Sequence, residues 1–183
     1  MRFADLLPFG GEVLDVAPAS SHLAIQMAIA GNMRVTALSP TPAVVDAARR
    51  NADKAGIRVD FQRGNPARMP FQDSTFDFVV CHNAFRRLPD PVATLREIHR
   101  VLKPGRKGVI IDLRRDVPLS VTRKHVKNQH LTGASAFFVF LKLCLAQRRA
   151  YSRPQIEAML RQVPFGLTRI DVTPVGLEIW FEG

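Results

Sequence analysis

The order of apolar segments constrains the fold of this chain more than any other feature. Five strand patterns occur in its first two thirds, at residues 13–16, 34–38, 58–61, 76–81 and 108–113, and helical patterns alternate with them. Strands that are separated by single helices pair in parallel through right-handed crossovers. The sequence therefore predicts an α/β fold with a doubly wound, mostly parallel sheet, in which ligands bind at the carboxyl ends of the strands.

Residues with capping preferences mark the predicted helix ends. Thr41 begins a helix that Gly56 ends, and Asp90 begins another that Pro104-Gly105 is expected to end. The buried face predicted for an earlier helix consists of Leu23, Met27 and Ala30. Near the C-terminus, Ser152 and Gln155 form a capping box, and residues 167–172 and 175–181 are predicted to form a closing hairpin.

The composition is that of one globular domain. With 183 residues, of which 46% are hydrophobic, the chain can bury a core, so a single domain is predicted over residues 1–183. Residues 117–152 interrupt the alternation and are interpreted as a lid or interaction insertion. The two cysteines, Cys81 and Cys144, have no paired spacing, so they predict neither a disulfide framework nor a thiolate zinc site, and no metal site is predicted. The first eight residues lack the apolar run of a secretory signal, which favours a cytoplasmic location.

Positive charge is concentrated in one segment. The chain has 26 Lys and Arg against 16 Asp and Glu, a net charge of +10, and residues 117–156 hold seven of the basic residues and no acidic one. Such a block can attract nucleic acid, anionic lipid or an anionic substrate, or it can be a solvated basic face.

Four motifs follow one another at a characteristic spacing. They are Val13-Leu14-Asp15-Val16, Phe76-Asp77-Phe78-Val79-Val80, Leu88-Pro89-Asp90-Pro91 and Arg100-Val101-Leu102-Lys103-Pro104-Gly105. Together they resemble the class I S-adenosylmethionine-dependent methyltransferases of the small-molecule type. The resemblance implies a Rossmann-like, seven-stranded sheet with an antiparallel C-terminal strand, S-adenosylmethionine as cofactor and a small molecule as methyl acceptor.

The cofactor positions depart from the family pattern in three places. Ala17, Ala19 and Ser21 stand where the family's first loop is glycine-rich, and a left-handed conformation at such a position costs a residue with a Cβ about 1–2 kcal/mol. Ser39 stands where the family has an acidic residue that binds the ribose hydroxyls, whereas Asn65, in place of an aspartate, can still accept from the adenine amino group. We therefore expect weak or absent binding of S-adenosylmethionine, with a dissociation constant of about 0.1 mM or worse. The resemblance implies the cofactor-binding residues Asp15, Ala17, Ala19, Ser39, Asn65, Pro66, His82 and Asn83.

Few side chains are candidates for catalysis. His82, in the loop after the fourth strand, is the predicted general base, and the alternative is a histidine that pairs with neighbouring backbone. His22, at a helix start, could reach the altered first loop. Arg86 and Arg87 are interpreted as an exposed, solvated pair rather than an anion contact, and Cys81 as buried packing.

Residues 134–146 are apolar on almost every side, and these thirteen residues are too few to span a bilayer. In the resembling family the region after the fifth strand commonly covers the substrate. A lid or a homodimer contact is therefore the favoured interpretation, and a helix on a membrane surface is the second.

Three functions fit these observations. The first is methyl transfer to an unidentified small molecule from a weak or remodelled cofactor site. The second is an inactive pseudo-methyltransferase that acts as an interaction module. The third is a basic binder of nucleic acid or membrane surfaces, and nucleic acid is disfavoured because Tyr151 and Trp180 are the only residues of their types available for base stacking.

Overall fold

The computed structural model describes residues 10–18, 20–31, 33–129 and 133–183. In chain order, its elements are β1 (Glu12–Val16), α1 (His22–Gly31), β2 (Arg34–Ser39), α2 (Pro42–Ala55), β3 (Asp60–Arg63), β4 (Phe76–His82), α3 (Pro91–Val101), β5 (Leu102–Leu113), α4 (Leu119–Lys127), α5 (Gly133–Arg148), α6 (Arg153–Leu160), β6 (Thr168–Val172) and β7 (Gly176–Glu182). A 3₁₀ turn, Phe85–Arg87, follows β4.

The strands of the described residues form one seven-stranded sheet in the order β3-β2-β1-β4-β5-β7-β6. Strands β1 to β5 pair in parallel, and β7 runs antiparallel to both β5 and β6. The predicted doubly wound sheet with an antiparallel C-terminal strand is thereby confirmed. The chain order reverses between β1 and β4, so the carboxyl ends of these two strands border the crevice where ligands of open α/β sheets bind.

Helices cover both faces of the sheet because successive strand residues point to opposite sides. Val13 of β1 belongs to a core with α1 and α2, whereas the next residue, Leu14, belongs to a core with α3 and α6. The first core includes Ala24, Met27, Val45, Ala48 and Ala52, and the second includes Leu95, Ile98, Ile156, Met159 and Leu160. This two-sided packing fixes β1 and β4 at the centre of the sheet and holds their ends rigid at the crevice.

The predicted caps at Asp90, at Gly56 and at the Ser152–Gln155 box are confirmed, whereas Thr41 begins α2 without a side-chain capping hydrogen bond. Asp90 accepts a hydrogen bond from the backbone N–H of Ala93 at 2.9 Å, and Gly56 ends α2 with a φ of 66°. The side chain of Gln155 accepts from the N–H of Ser152 at 2.9 Å, as expected of a capping box.

Three predictions about individual elements were wrong, one on a buried face and two on boundaries. Helix α1 buries Ala24 and Met27, whereas Ala30 is exposed, so its inner face is rotated from the predicted one. Strand β3 lies two residues later than the predicted 58–61. Helix α3 ends at Val101 and β5 begins directly after it, so Pro104-Gly105 lies within the strand, where Gly105 adopts a φ of 69°. The register between β4 and β5 shifts at this dipeptide, and the N–H of Gly105 donates instead to the carbonyl of Gly183 at 2.9 Å.

The segment predicted as an insertion contains α4 and α5, which pack against each other. The hydroxyl of Thr122 on α4 donates to Oε1 of the buried Gln147 on α5 at 3.2 Å. Phe137 and Phe138 of α5 are 61% and 60% exposed, so these two rings are not buried against the chain's own strand ends. None of the described helices is long and apolar enough to cross a membrane.

Candidate functional site

A small cavity lies at the carboxyl ends of β1 and β4. It measures about 220 Å³ and is lined by Asp15, Pro18, Ser20, His22, Leu23, His82 and Asn83. Three of the predicted site residues, Asp15, His82 and Asn83, therefore meet in one place, together with the candidate His22. A larger cleft of about 720 Å³ lies at the opposite ends of the strands, beside Glu12 and Met33, where the architecture of open α/β sheets provides no ligand site.

Asp15 is the most unusual group in this cavity. Its side chain is buried, and none of the described residues donates a hydrogen bond to either of its carboxylate oxygens. Burial raises the pKa of Asp15 to about 7, because the charged carboxylate is removed from water. A positive charge or a hydrogen-bond donor on a ligand would satisfy this carboxylate.

In the loop after β1, an alanine adopts the left-handed backbone conformation that usually favours glycine. Ala17 has a φ of 54°, and its N–H donates to the carbonyl of Leu38 at 2.8 Å, which ties the loop to β2. This conformation costs an alanine about 1–2 kcal/mol. Ala19, the other predicted loop residue, lies outside the described residues.

The end of β4 places two polar residues against the same cavity. Asn83 has a φ of 55°, its N–H donates to the carbonyl of Ile111 at 2.8 Å, and its Nδ2 lies 3.1 Å from Nε2 of His82. Burial lowers the pKa of His82, while the charge of Asp112 opposes this shift. A neutral imidazole near neutral pH is the form that a general base requires.

The predicted ribose and adenine contacts lie outside this cavity. Ser39 ends β2 as expected, but it is buried, and its hydroxyl accepts from the N–H of Thr41 at 3.3 Å. Asn65 is exposed, and its Oδ1 accepts from the N–H of Ala67 at 2.9 Å; Pro66 is buried beside it. Both polar side chains therefore stabilise their own turns.

An ion pair that the sequence did not reveal lies behind the cavity. Arg86 was predicted to be exposed, but its side chain is only 12% exposed and forms a salt bridge with Asp112, whose side chain is 6% exposed. The backbone N–H of Arg86 also donates to Asp112 at 2.9 Å. Arg87, by contrast, is exposed as predicted. A lone acidic residue in an apolar strand pattern was the one signal in the sequence for a buried ionic partner.

Cys81 packs in the core, as predicted. It is fully buried, and desolvation together with the neighbouring Asp112 and Asp15 raises the pKa of its thiol. Such a thiol is a poor nucleophile. Within the ranges that the structure describes, no group of three or more His, Cys, Asp or Glu side chains could hold a metal ion.

Comparison with known proteins identifies the family. A family model described as "Methyltransferase domain" matches residues 14–110, which is more than half of the chain and runs from β1 into β5. The chain belongs to the S-adenosylmethionine-dependent methyltransferase family. The predicted family resemblance is confirmed.

Individual relatives agree with this assignment. The demethylmenaquinone methyltransferase of Bacillus cytotoxicus is 30% identical over 184 residues, which cover 95% of this chain and 76% of that protein. The demethylmenaquinone methyltransferase of Deinococcus radiodurans is 33% identical over 101 residues, but the match spans 55% of this chain and less than half, 42%, of that protein. A methyltransferase structure from Aquifex aeolicus shares the fold, with a TM-score of 0.74 at 20% identity over 96% of this chain and 83% of that one.

Proposed function

We propose that this methyltransferase-family chain binds S-adenosylmethionine weakly and transfers its methyl group to a small apolar acceptor, with a quinone-type ring as the first candidate. The observation that carries the proposal is the buried carboxylate of Asp15, which lacks a hydrogen-bond donor among the described residues and lines the cavity at the switch point of the sheet. The methionine end of S-adenosylmethionine carries an ammonium and a sulfonium group. Either positive charge suits a buried carboxylate, since burial strengthens the attraction between opposite charges.

The rest of the cofactor is held less well. A cavity of about 220 Å³ is smaller than the roughly 300–1,000 Å³ of most small-molecule sites. The single hydroxyl of Ser39 already accepts a backbone hydrogen bond. Hydrogen bonds to a charged group are worth about 1.5–3 kcal/mol, so replacing a carboxylate here weakens binding by roughly ten- to a hundredfold. These features support the methionine end as the main anchor.

The acceptor is proposed from two relatives. Both of the relatives described above are named for methylation of demethylmenaquinone. When bound, the cofactor supplies an electrophilic methyl group, which replaces a proton on the acceptor. In this proposal His82 and Asn83 border the acceptor and His82 takes up that proton; neither role requires a metal.

Titration calorimetry with S-adenosylmethionine and with its demethylated product tests the cofactor site. We expect dissociation constants of about 0.1 mM or weaker, and at least tenfold tighter binding for the double variant Ser39→Asp with Ala17→Gly. Ser120→Asp, an exposed change on α4, is the control and should leave affinity unchanged. If neither the native chain nor the restored variant binds, the cofactor proposal is wrong.

Methyl transfer is measured separately with reduced demethylmenaquinone and isotope-labelled cofactor, with the label followed into the lipid fraction. His82→Gln should lower the rate by about a hundredfold or more while the affinity for the demethylated cofactor stays unchanged.

The second candidate is an inactive interaction module. The specific observation that favours it is the Ser39 hydroxyl, which is buried at the end of β2 and accepts a hydrogen bond from the backbone N–H of Thr41. Cofactor binding without methyl transfer to any tested acceptor would support this alternative.

A further inference from the structure

Helix α5 exposes an apolar stripe. Phe137, Phe138, Leu141 and Leu145 are between 42% and 61% exposed. Because an α-helix turns about 100° per residue, these four positions fall within about 100° of its circumference. Four large apolar side chains on one exposed stripe are uncommon on a monomeric soluble protein and mark an interaction site.

The inner side of α5 is already occupied. Helix α4 packs against it through the Thr122 to Gln147 hydrogen bond, and the guanidinium of Arg123 lies 5.9 Å from the centre of the Phe140 ring. These contacts hold α4 and α5 together through the inner side of α5, and the apolar stripe takes no part in them.

Positive charge surrounds the stripe. A cleft of about 400 Å³ between α4 and α5 has Val126, Phe140 and Phe137 as apolar lining, and Arg123 and Lys127 contribute cations to the same cleft. Further exposed basic residues on the two helices are Lys124, Lys142 and Arg148. Residues 117–156 contain no acidic side chain, so no carboxylate within this segment neutralises these charges.

We propose that the α4–α5 helix pair docks this protein on the surface of a bilayer that contains anionic lipid. The apolar stripe enters the boundary between headgroups and acyl chains, and the surrounding Lys and Arg side chains bind lipid phosphates. Charge complementarity selects this occupant over a second copy of the chain, because a symmetric dimer through the same stripe brings two basic segments together. This docking is independent of whether the cavity at Asp15 binds a cofactor.

Vesicle flotation of the full chain tests the proposal, with vesicles of phosphatidylcholine alone and with vesicles that also contain phosphatidylglycerol. At about 0.15 M salt we expect binding to the anionic vesicles and at least tenfold weaker binding to the neutral ones. The double variant Phe137→Ser with Phe138→Ser should lose at least tenfold in partitioning, because both rings are exposed in the absence of lipid. Reversal of Lys124 and Lys127 to Glu should lose more than about twentyfold, since each basic residue near an anionic surface contributes about fivefold.

Matched controls distinguish binding through this surface from nonspecific hydrophobic or electrostatic binding to vesicles. Leu167→Ser removes an apolar side chain that is 70% exposed and lies outside α4 and α5, directly before β6. Arg50→Glu with Arg96→Glu reverses two exposed charges on α2 and α3. Both controls should bind the anionic vesicles as the native chain does, and circular dichroism should show that every variant is folded.

Three results would overturn the proposal. The first is a native chain that binds neither kind of vesicle. The second is equal loss of binding in the controls. The third is sedimentation of the native chain as a dimer that the phenylalanine variant converts to monomer while vesicles stay unbound, which would assign the stripe to a second copy of the chain.

Discussion

Replacement of Asp15 by Asn tests whether the buried carboxylate destabilises the fold when it is charged. Burial raises its pKa from 3.8 to about 7, so the folded chain holds this proton more tightly than the unfolded chain does. In such a case stability falls as pH rises from about 4 to about 7, and stays low above that range. At 1.36 kcal/mol per pKa unit, the full loss is about 4 kcal/mol, of which about 3 kcal/mol falls between pH 5 and pH 9.

Urea unfolding of both proteins between pH 5 and pH 9 measures this effect. The free energy of unfolding of Asp15→Asn, less that of the native chain, should increase by about 3 kcal/mol across the range, which corresponds to a difference of about 6–12 °C in melting temperature for a chain of this size. Asp46→Asn, at an exposed position on α2, is the control and should follow the native pH dependence. A pH-independent difference between Asp15→Asn and the native chain would refute the argument, since Asn cannot titrate.

Two further substitutions test internal contacts of the fold through the free energy of unfolding. Arg86→Met leaves Asp112 buried without its ionic partner and should destabilise the chain by about 3–5 kcal/mol, whereas Arg153→Met, which breaks an exposed pair, should cost about 1 kcal/mol or less. Similar losses for both would show that the buried pair is not special. Gly108→Ala should destabilise by about 1–3 kcal/mol, because a Cβ at this position would lie 2.3 Å from the Phe181 ring; an unchanged denaturation midpoint would contradict this packing.

Sequence patterns determined the order of strands in the chain and most of the helix caps, because both depend on local spacing. The alternation of strands and helices requires parallel pairing, and Asp90 caps its helix through an amide only three residues away. The same local reasoning located Asp15, His82 and Asn83 at strand ends. Parallel strands bring such ends to one edge, and the cavity there confirms that the three residues meet.

Local patterns failed where a partner distant in sequence decides the outcome. The place of Pro104-Gly105 in β5 depends on contacts distant in sequence, such as the hydrogen bond from Gly105 to Gly183, and the salt bridge of Arg86 depends on Asp112, 26 residues away. The sequence predicted neither the isolation of the Asp15 carboxylate nor the local hydrogen bond of Ser39.

The exposure of α5 is the clearest case of a property set by tertiary structure alone. Its apolar composition is plain from the sequence and is compatible with a core helix, a lid or a surface helix. Only the position of α4 decides which side is covered, and that position leaves Phe137 and Phe138 in solvent. The sequence by itself determined the fold, because the order of strands and helices follows from short-range periodicity. Tertiary structure decided which polar and apolar groups lack partners, because burial depends on everything that packs around a residue.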